Sequence, residues 1–170
     1  MLKDFGGEPL YKRALTIRER SLGPDSAGVA ETLNDLAQLY LVEGRYTEAE
    51  PLFKRAINEK ALGRDSPDFA TCLDNLAALY HDEGRYAEAE PIYKRALAIR
   101  ERSLGPDSPE VARSLNNLAV LYRQEGRYTE AEPLFSRVLA SNEKAPGHEG
   151  PEFATYLNNL ATMYHSEGAV

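Results

Sequence analysis

The chain has 170 residues, 20 of them Lys or Arg and 27 Asp or Glu, so it carries a net charge of −7 at neutral pH. That balance excludes the basic stripe that displaces phosphate counterions from nucleic acid, and it argues equally against an anionic membrane surface. Hydrophobic residues at 42% and charged residues at 28% suit a packed chain rather than a disordered one, and the single cysteine, Cys72, leaves no intrachain disulfide and no cysteine-based zinc site.

No apolar run reaches membrane-spanning length, and the opening seven residues hold no apolar stretch of signal-peptide size. A reducing, cytoplasmic setting is expected. Internal repetition then sets the elements. Gly-Arg-Tyr-Thr-Glu-Ala-Glu-Pro-Leu-Phe occupies residues 44–53 and, verbatim, 126–135, with a close copy at 84–93. Tyr40, Tyr80, Tyr122 and Tyr164 are 40, 42 and 42 residues apart, and Pro9, Pro51, Pro91 and Pro133 are 42, 40 and 42 apart. The unit is therefore 42 residues long, and one copy is two residues short.

In chain order, residues 1–22 read as the second helix of a pair without its first. Gly6 and Gly7 stand where other copies have Glu-Ala, so the start of this helix is expected to fray. In residues 26–62, Leu33, Leu36, Ala37 and Tyr40 lie at i, i+3, i+4 and i+7, the stripe of a first helix. Tyr46, Ala49, Phe53 and Ala56 make the matching face of a second. Gly44 between them suits a left-handed residue, as do Gly84, Gly126 and Gly168 in later copies. Comparing residues 53–60 with 135–144 places the two-residue deletion after Ile57, inside that second helix. Two residues amount to roughly 200° of helical rotation, too much for a core-facing stripe to carry through. This helix is predicted to be short, with the slack absorbed at its C-terminal end.

Residues 66–104 and 108–145 repeat the pair. They open on Ser66-Pro67 and Ser108-Pro109, a capping serine followed by proline at the first helical position. Ser26-Ala27 and Gly150-Pro151 are weaker versions of the same start. Pro51, Pro91 and Pro133 are expected about one turn into the second helices, where a missing N–H loses little. Residues 150–168 read as a lone first helix. Ala37, Ala77 and Ala119 on the first helices, with Ala49, Ala89 and Ala131 on the second, let the two approach closely. One pair cannot bury both of its faces, so the units must stack.

The spacing of Leu33, Leu36, Ala37, Tyr40, Gly44, Tyr46, Ala49, Phe53 and Ala56 resembles the tetratricopeptide repeat. The 42-residue period, with Leu-Asn-Asn-Leu-Ala, Glu-Ala-Glu-Pro-Leu and Leu-Gly-Pro-Asp-Ser, is similar to the kinesin-light-chain subclass. The resemblance implies an all-α fold, a right-handed superhelical solenoid of antiparallel helix pairs with about seven helices in one array over residues 1–170. It also implies a concave side lined by first helices that holds a peptide of a partner protein.

The residues themselves add to this. Asn34, Asp74, Asn116 and Asn158 share one repeat position, and Asp35, Asn75, Asn117 and Asn159 share the next. Asparagine and aspartate are mediocre helix formers, so their recurrence in mid-helix needs a reason. A carboxamide donates and accepts at once, which suits the main chain of an extended ligand. The same residues could instead bond neighbouring helices or follow from duplication. The two readings weigh evenly for the second set, and the groove is favoured for the first. Specificity is expected from Glu31, Thr71, Arg113 and Thr155, from Gln38, Ala78, Val120 and Thr162, and from Leu41, His81, Arg123 and His165. The charges among these predict a groove graded from negative towards positive, with any acidic ligand confined to the C-terminal half.

Other chemistry finds little support. Seven of the 10 tyrosines fall at two core repeat positions, which suits a core better than a base-stacking platform. Lys54-Arg55 and Lys94-Arg95 read as a solvated outer face, and the Glu-Ala-Glu acids as favourable charges near helix N-termini. His81, His148 and His165 lack metal-site spacing, Cys72 reads as an ordinary partly buried thiol, and every glycine signal is a helix-ending turn. A non-catalytic interaction scaffold without cofactor or metal is therefore expected. The alternative is a self-assembly or sensor module of a larger signalling protein, acting through open helical ends that include Leu157, Leu160, Ala161 and Tyr164.

Overall fold

The computed structural model describes residues 6–57, 59–143 and 150–168. The expectations for residues 1–5, for the end of the third pair at 144–145 and for His148 lie outside them. The described residues hold nine helices: α1 (Gly7–Leu22), α2 (Ala27–Val42), α3 (Tyr46–Ala56), α4 (Glu59–Leu62), α5 (Pro67–Asp82), α6 (Tyr86–Leu104), α7 (Pro109–Gln124), α8 (Tyr128–Glu143) and α9 (Pro151–Glu167). About seven were expected. The second helix of the first pair is split into α3 and α4, and the lone and paired helices number one more than anticipated.

The split follows from the deletion. α3 has 11 residues, against 19 in α6 and 16 in α8. Its backbone leaves the helix at Ile57, with φ −75° and ψ 68°. The register error is thus shed at the C-terminal end, after Phe53 and Ala56 have reached the core with no exposed surface.

The capping serines do not behave alike. Ser66 Oγ accepts from the Phe69 N–H at 3.1 Å, and Ser108 Oγ accepts from the Val111 N–H at 3.2 Å. Ser26 makes no such side-chain bond. Losing a capping hydroxyl costs about 1 kcal/mol. Ser66→Ala and Ser108→Ala are therefore each expected to lower the unfolding free energy by about that much in urea titration, and Ser26→Ala to stay close to the parent.

First helices end on one motif used three times. Gly44, Gly84 and Gly126 take φ values of 72°, 74° and 73°. The following Arg45, Arg85 and Arg127 N–H groups reach back to the Tyr40, Tyr80 and Tyr122 carbonyls at 2.8, 2.7 and 2.8 Å. This closure satisfies orphan carbonyls at the helix end and aims the chain into the second helix. Gly168 differs from expectation, since its φ is −74°. Pro51, Pro91 and Pro133 also lie deeper than expected. Pro51 is the sixth residue of α3, where an N–H would have a helical partner. All three prolines are exposed, on the side of the helix away from the core.

The chain divides into two compact units, residues 1–92 and 93–170, with the boundary inside α6. In the first unit α2 packs against α1 and α3, and both α3 and α4 meet α5. Val29, Leu33, Ala56 and Cys72 form one core cluster there. In the second unit α8 packs against α7 and α9, and α7 touches α9. Val111, Ala112, Leu115, Val138 and Tyr156 form its core cluster.

Candidate functional site

A step of one residue turns a helix by about 100°, so neighbouring repeat positions face different surroundings. Asn34, Asp74 and Asn116 are buried, with 8%, 6% and 9% of their surface exposed. Asn75 Nδ2 donates to Asn34 Oδ1 at 2.9 Å, and Asn159 Nδ2 donates to Asn116 Oδ1 at 2.9 Å. In each unit a second-set amide thus bonds a first-set amide on the preceding first helix. The first set was expected to favour the open groove. The structure seats Asn34, Asp74 and Asn116 in the layer between helices instead, because their positions share a face with Leu33, Ala37 and their equivalents. Asn158, on α9, is exposed.

The outward face carries the rest. Glu31, Asp35 and Gln38 are exposed on α2, while Thr71, Asn75, Ala78 and His81 are half-buried on α5. On α7 Arg113 is exposed, and Asn117, Val120 and Arg123 are half-buried. On α9 Asn159 is half-buried, and Thr155, Thr162 and His165 are exposed. Within each unit these positions line up at i, i+4, i+7 spacing along one side of the first helices.

The charge of this face differs between the units. In the first, Glu31, Asp35 and Asp68 surround a shallow concavity with Asn34, Leu62, Thr71 and Cys72. Burial first, then the negative charges of Asp68, Asp35 and Glu31, push the Cys72 thiol up to about 12. It stays protonated and is a poor nucleophile. In the second unit Arg113 shares a concavity with Glu110, Glu152 and Pro109. The positive charge expected at Arg113 is therefore flanked by two carboxylates. His81 Nε2 and Arg123 Nε, at one repeat position, are buried atoms without a hydrogen-bond partner among the described residues.

Spacing gave no warning of one further arrangement. Tyr40 and Tyr80 donate from their hydroxyls to Glu8 Oε1 and Glu50 Oε1, both at 2.9 Å. The Arg45, Arg85 and Arg127 guanidinium groups lie 4.0, 4.0 and 4.1 Å from the ring centroids of Tyr40, Tyr80 and Tyr122. Arg45 also pairs with Glu8 at 2.7 Å, and Arg85 with Glu50 at 3.2 Å. The Tyr40 and Tyr80 clamps each tie the end of a first helix to the second helix before it. The recurrent Gly-Arg-Tyr phrase was the available signal, but only its glycine and tyrosine had an evident role.

The tetratricopeptide repeat family matches residues 7–58, 68–141 and 115–169. The chain belongs to that family. Among solved structures it is similar to BtubC (BKLC) from P. vanneervenii, with a TM-score of 0.85 and 29% identity over 95% of this chain and 65% of that one. It thus spans about two thirds of the length of BtubC. It is also similar to a Podosopora anserina protein with nearly identical TPR-like repeats, described as a kinesin light chain, with a TM-score of 0.79 and 24% identity over 95% of this chain and 77% of that one. A singly substituted form of that protein gives a TM-score of 0.80. No curated protein matches the sequence. The all-α tetratricopeptide fold and the kinesin-light-chain-like character of its relatives agree with the repeat arithmetic. No helix among the described residues is long and apolar enough to cross a membrane.

Within these repeats the clamps set an acid limit. Arg45 above all, then Lys12 and Tyr40, holds the Glu8 carboxyl at about 2 instead of 4.5. Lys54 first, then Arg85 and Tyr80, hold Glu50 at about 2. Folded carboxylates with lowered pKa bind fewer protons than unfolded ones, so their contribution is complete above about 4.5 and is lost as pH falls towards 2. The urea midpoint is expected to fall across that window. Arg45→Met should flatten part of the fall, because it removes the main cause of the Glu8 shift.

Proposed function

We propose that the chain is a non-catalytic protein-interaction scaffold that holds an extended peptide along the outward face of its first helices. The family and its relatives support an interaction role in general. The carrying observation is the tethered amide: Asn75 donates to Asn34, and Asn159 to Asn116, while remaining half-exposed. One N–H fixes each side chain, and the Oδ1 oxygens of Asn75 and Asn159 have no hydrogen-bond partner among the described residues. Each is placed to accept a peptide N–H at little ordering cost. Glu31, Asp35 and Asp68 in the first unit favour basic side chains on the ligand. In the second unit Glu110 and Glu152 flank Arg113, which leaves Arg123 as the groove cation for an acidic side chain. The remaining groove positions, Gln38, His81, Asn117 and His165, tune the fit. A reducing, cytoplasmic setting suits the lone buried thiol of Cys72.

The test is fluorescence anisotropy with labelled extended peptides that are lysine-rich, neutral or glutamate-rich. The lysine-rich peptide is expected to bind most tightly at low salt. Asp35→Ala and Asn75→Ala should each weaken it about tenfold, or ~1.4 kcal/mol. Equal weak binding of all three peptides, untouched by either substitution, would refute the reading.

A further inference from the structure

The outer face of α9 carries the same seam that other first helices bury. Ala112, Leu115, Asn116, Ala119 and Tyr122 on α7 are all between 0% and 9% exposed. Their equivalents 42 residues later, Ala154, Leu157, Asn158, Ala161 and Tyr164, are all exposed, Leu157 at 44% and Tyr164 at 48%. Only Tyr156 and Met163 of α9 are buried. α1 shows the complementary state. It closely repeats the sequence of α6 but buries no residue, and Ile17 is 56% exposed where its equivalent Ile99 is 2% exposed.

We propose that α9 of one copy pairs with α1 of a second copy, in the way that α2 pairs with α3 and α7 with α8. This reading does not depend on the peptide groove. Two polar correspondences select this occupant over an arbitrary apolar helix. Arg55 pairs with Glu19 at 2.5 Å and Arg137 with Glu101 at 2.6 Å, each joining a second helix to an earlier one. The same register sets the second copy's Arg13 against Glu143, which is exposed. The amide ladder also continues. Asn34 and Asn116 are met by Asn75 and Asn159. In the same register Asn158 would be met by the second copy's Asp35, and its amide can donate to that carboxylate. The two copies use different faces, so the contact is heterologous and builds rings or open chains.

The test is sedimentation of the full 170-residue chain from low micromolar to submillimolar concentration. The mass is expected to rise above the 18.9 kDa of one chain as concentration increases. Leu157→Glu blocks one face and Ile17→Glu the other, and each variant alone should stay monomeric. Both positions are exposed, so thermal midpoints by circular dichroism should match the parent. An equimolar mixture of the two variants retains one intact α9 face and one intact α1 face, and should form a dimer and nothing larger. Arg13→Glu should weaken association, and combining it with Glu143→Arg should restore it. A parent chain that stays monomeric throughout, or a variant mixture that fails to dimerise, overturns the proposal.

Discussion

Phe135→Ala is expected to lower the stability of the second unit by about 3–5 kcal/mol, the usual cost of removing a buried aromatic ring. Phe135 is 1% exposed on α8, on the face it shares with the fully buried Ala131 and Val138. Collapse around the gap is hindered, because Ala131 beside it carries only a methyl group that cannot reach into it, and α7 and α8 are joined by a short turn closed through Arg127 and Tyr122. The lost transfer energy and the cavity term should therefore both register. Phe53→Ala should do the same in the first unit, where the ring has no exposed surface. Tyr164→Ala is the control. That ring is 48% exposed and its hydroxyl donates to Glu132 at 3.0 Å, so its removal should cost no more than about 1 kcal/mol. Urea unfolding followed by far-ultraviolet circular dichroism measures all three. Equal losses at Phe135 and Tyr164 would mean that α9 is covered in the free chain, against its exposed seam.

The repeat arithmetic carried most of the fold. A stripe such as Leu33, Leu36, Ala37 and Tyr40 can be buried in only one way on a helix, and four copies of it leave little freedom in the assignment. The break at Ile57 was legible for the same reason: a two-residue deletion rotates everything after it off the core. The candidate site was less legible. Asn34 and Asn75 both read as polar residues in mid-helix, and nothing in the sequence says which points into the next helix. That depends on about 100° of rotation and on how the next first helix is seated. The clamps on Tyr40 and Tyr80 were hidden differently. Glu8 and Tyr40 are 32 residues apart, and only the packing of α2 on α1 brings them to 2.9 Å. The difference among the serine caps was equally invisible. Ser26, Ser66 and Ser108 share one repeat position, yet only the last two bond their helices.

Ala119→Leu is expected to destabilise the second unit by about 1–3 kcal/mol, the typical cost of forcing extra carbons into a filled core. Ala119 has no exposed surface, and neither do Ala37 and Ala77 at the same position in the earlier copies. Across the pair the second helix also presents an alanine, Ala131, again with no exposed surface. Small residues on both sides leave no rotamer for a longer chain, so the strain must go into the spacing of α7 and α8. That spacing positions Asn116 to receive the Asn159 amide, so a displaced α7 should also lose the tether on the outward face. Ala161→Leu places the same side chain at the same repeat position on α9, but Ala161 is exposed. The free chain should tolerate it to within about 0.5 kcal/mol, as for other surface changes. In the end-to-end pairing, however, Ala161 becomes the point of close approach to the second copy's α1. The leucine should then abolish the rise of mass with concentration while the unfolding midpoint stays put. One substitution at two equivalent positions thus separates a seam that is closed within the chain from one that closes only between copies.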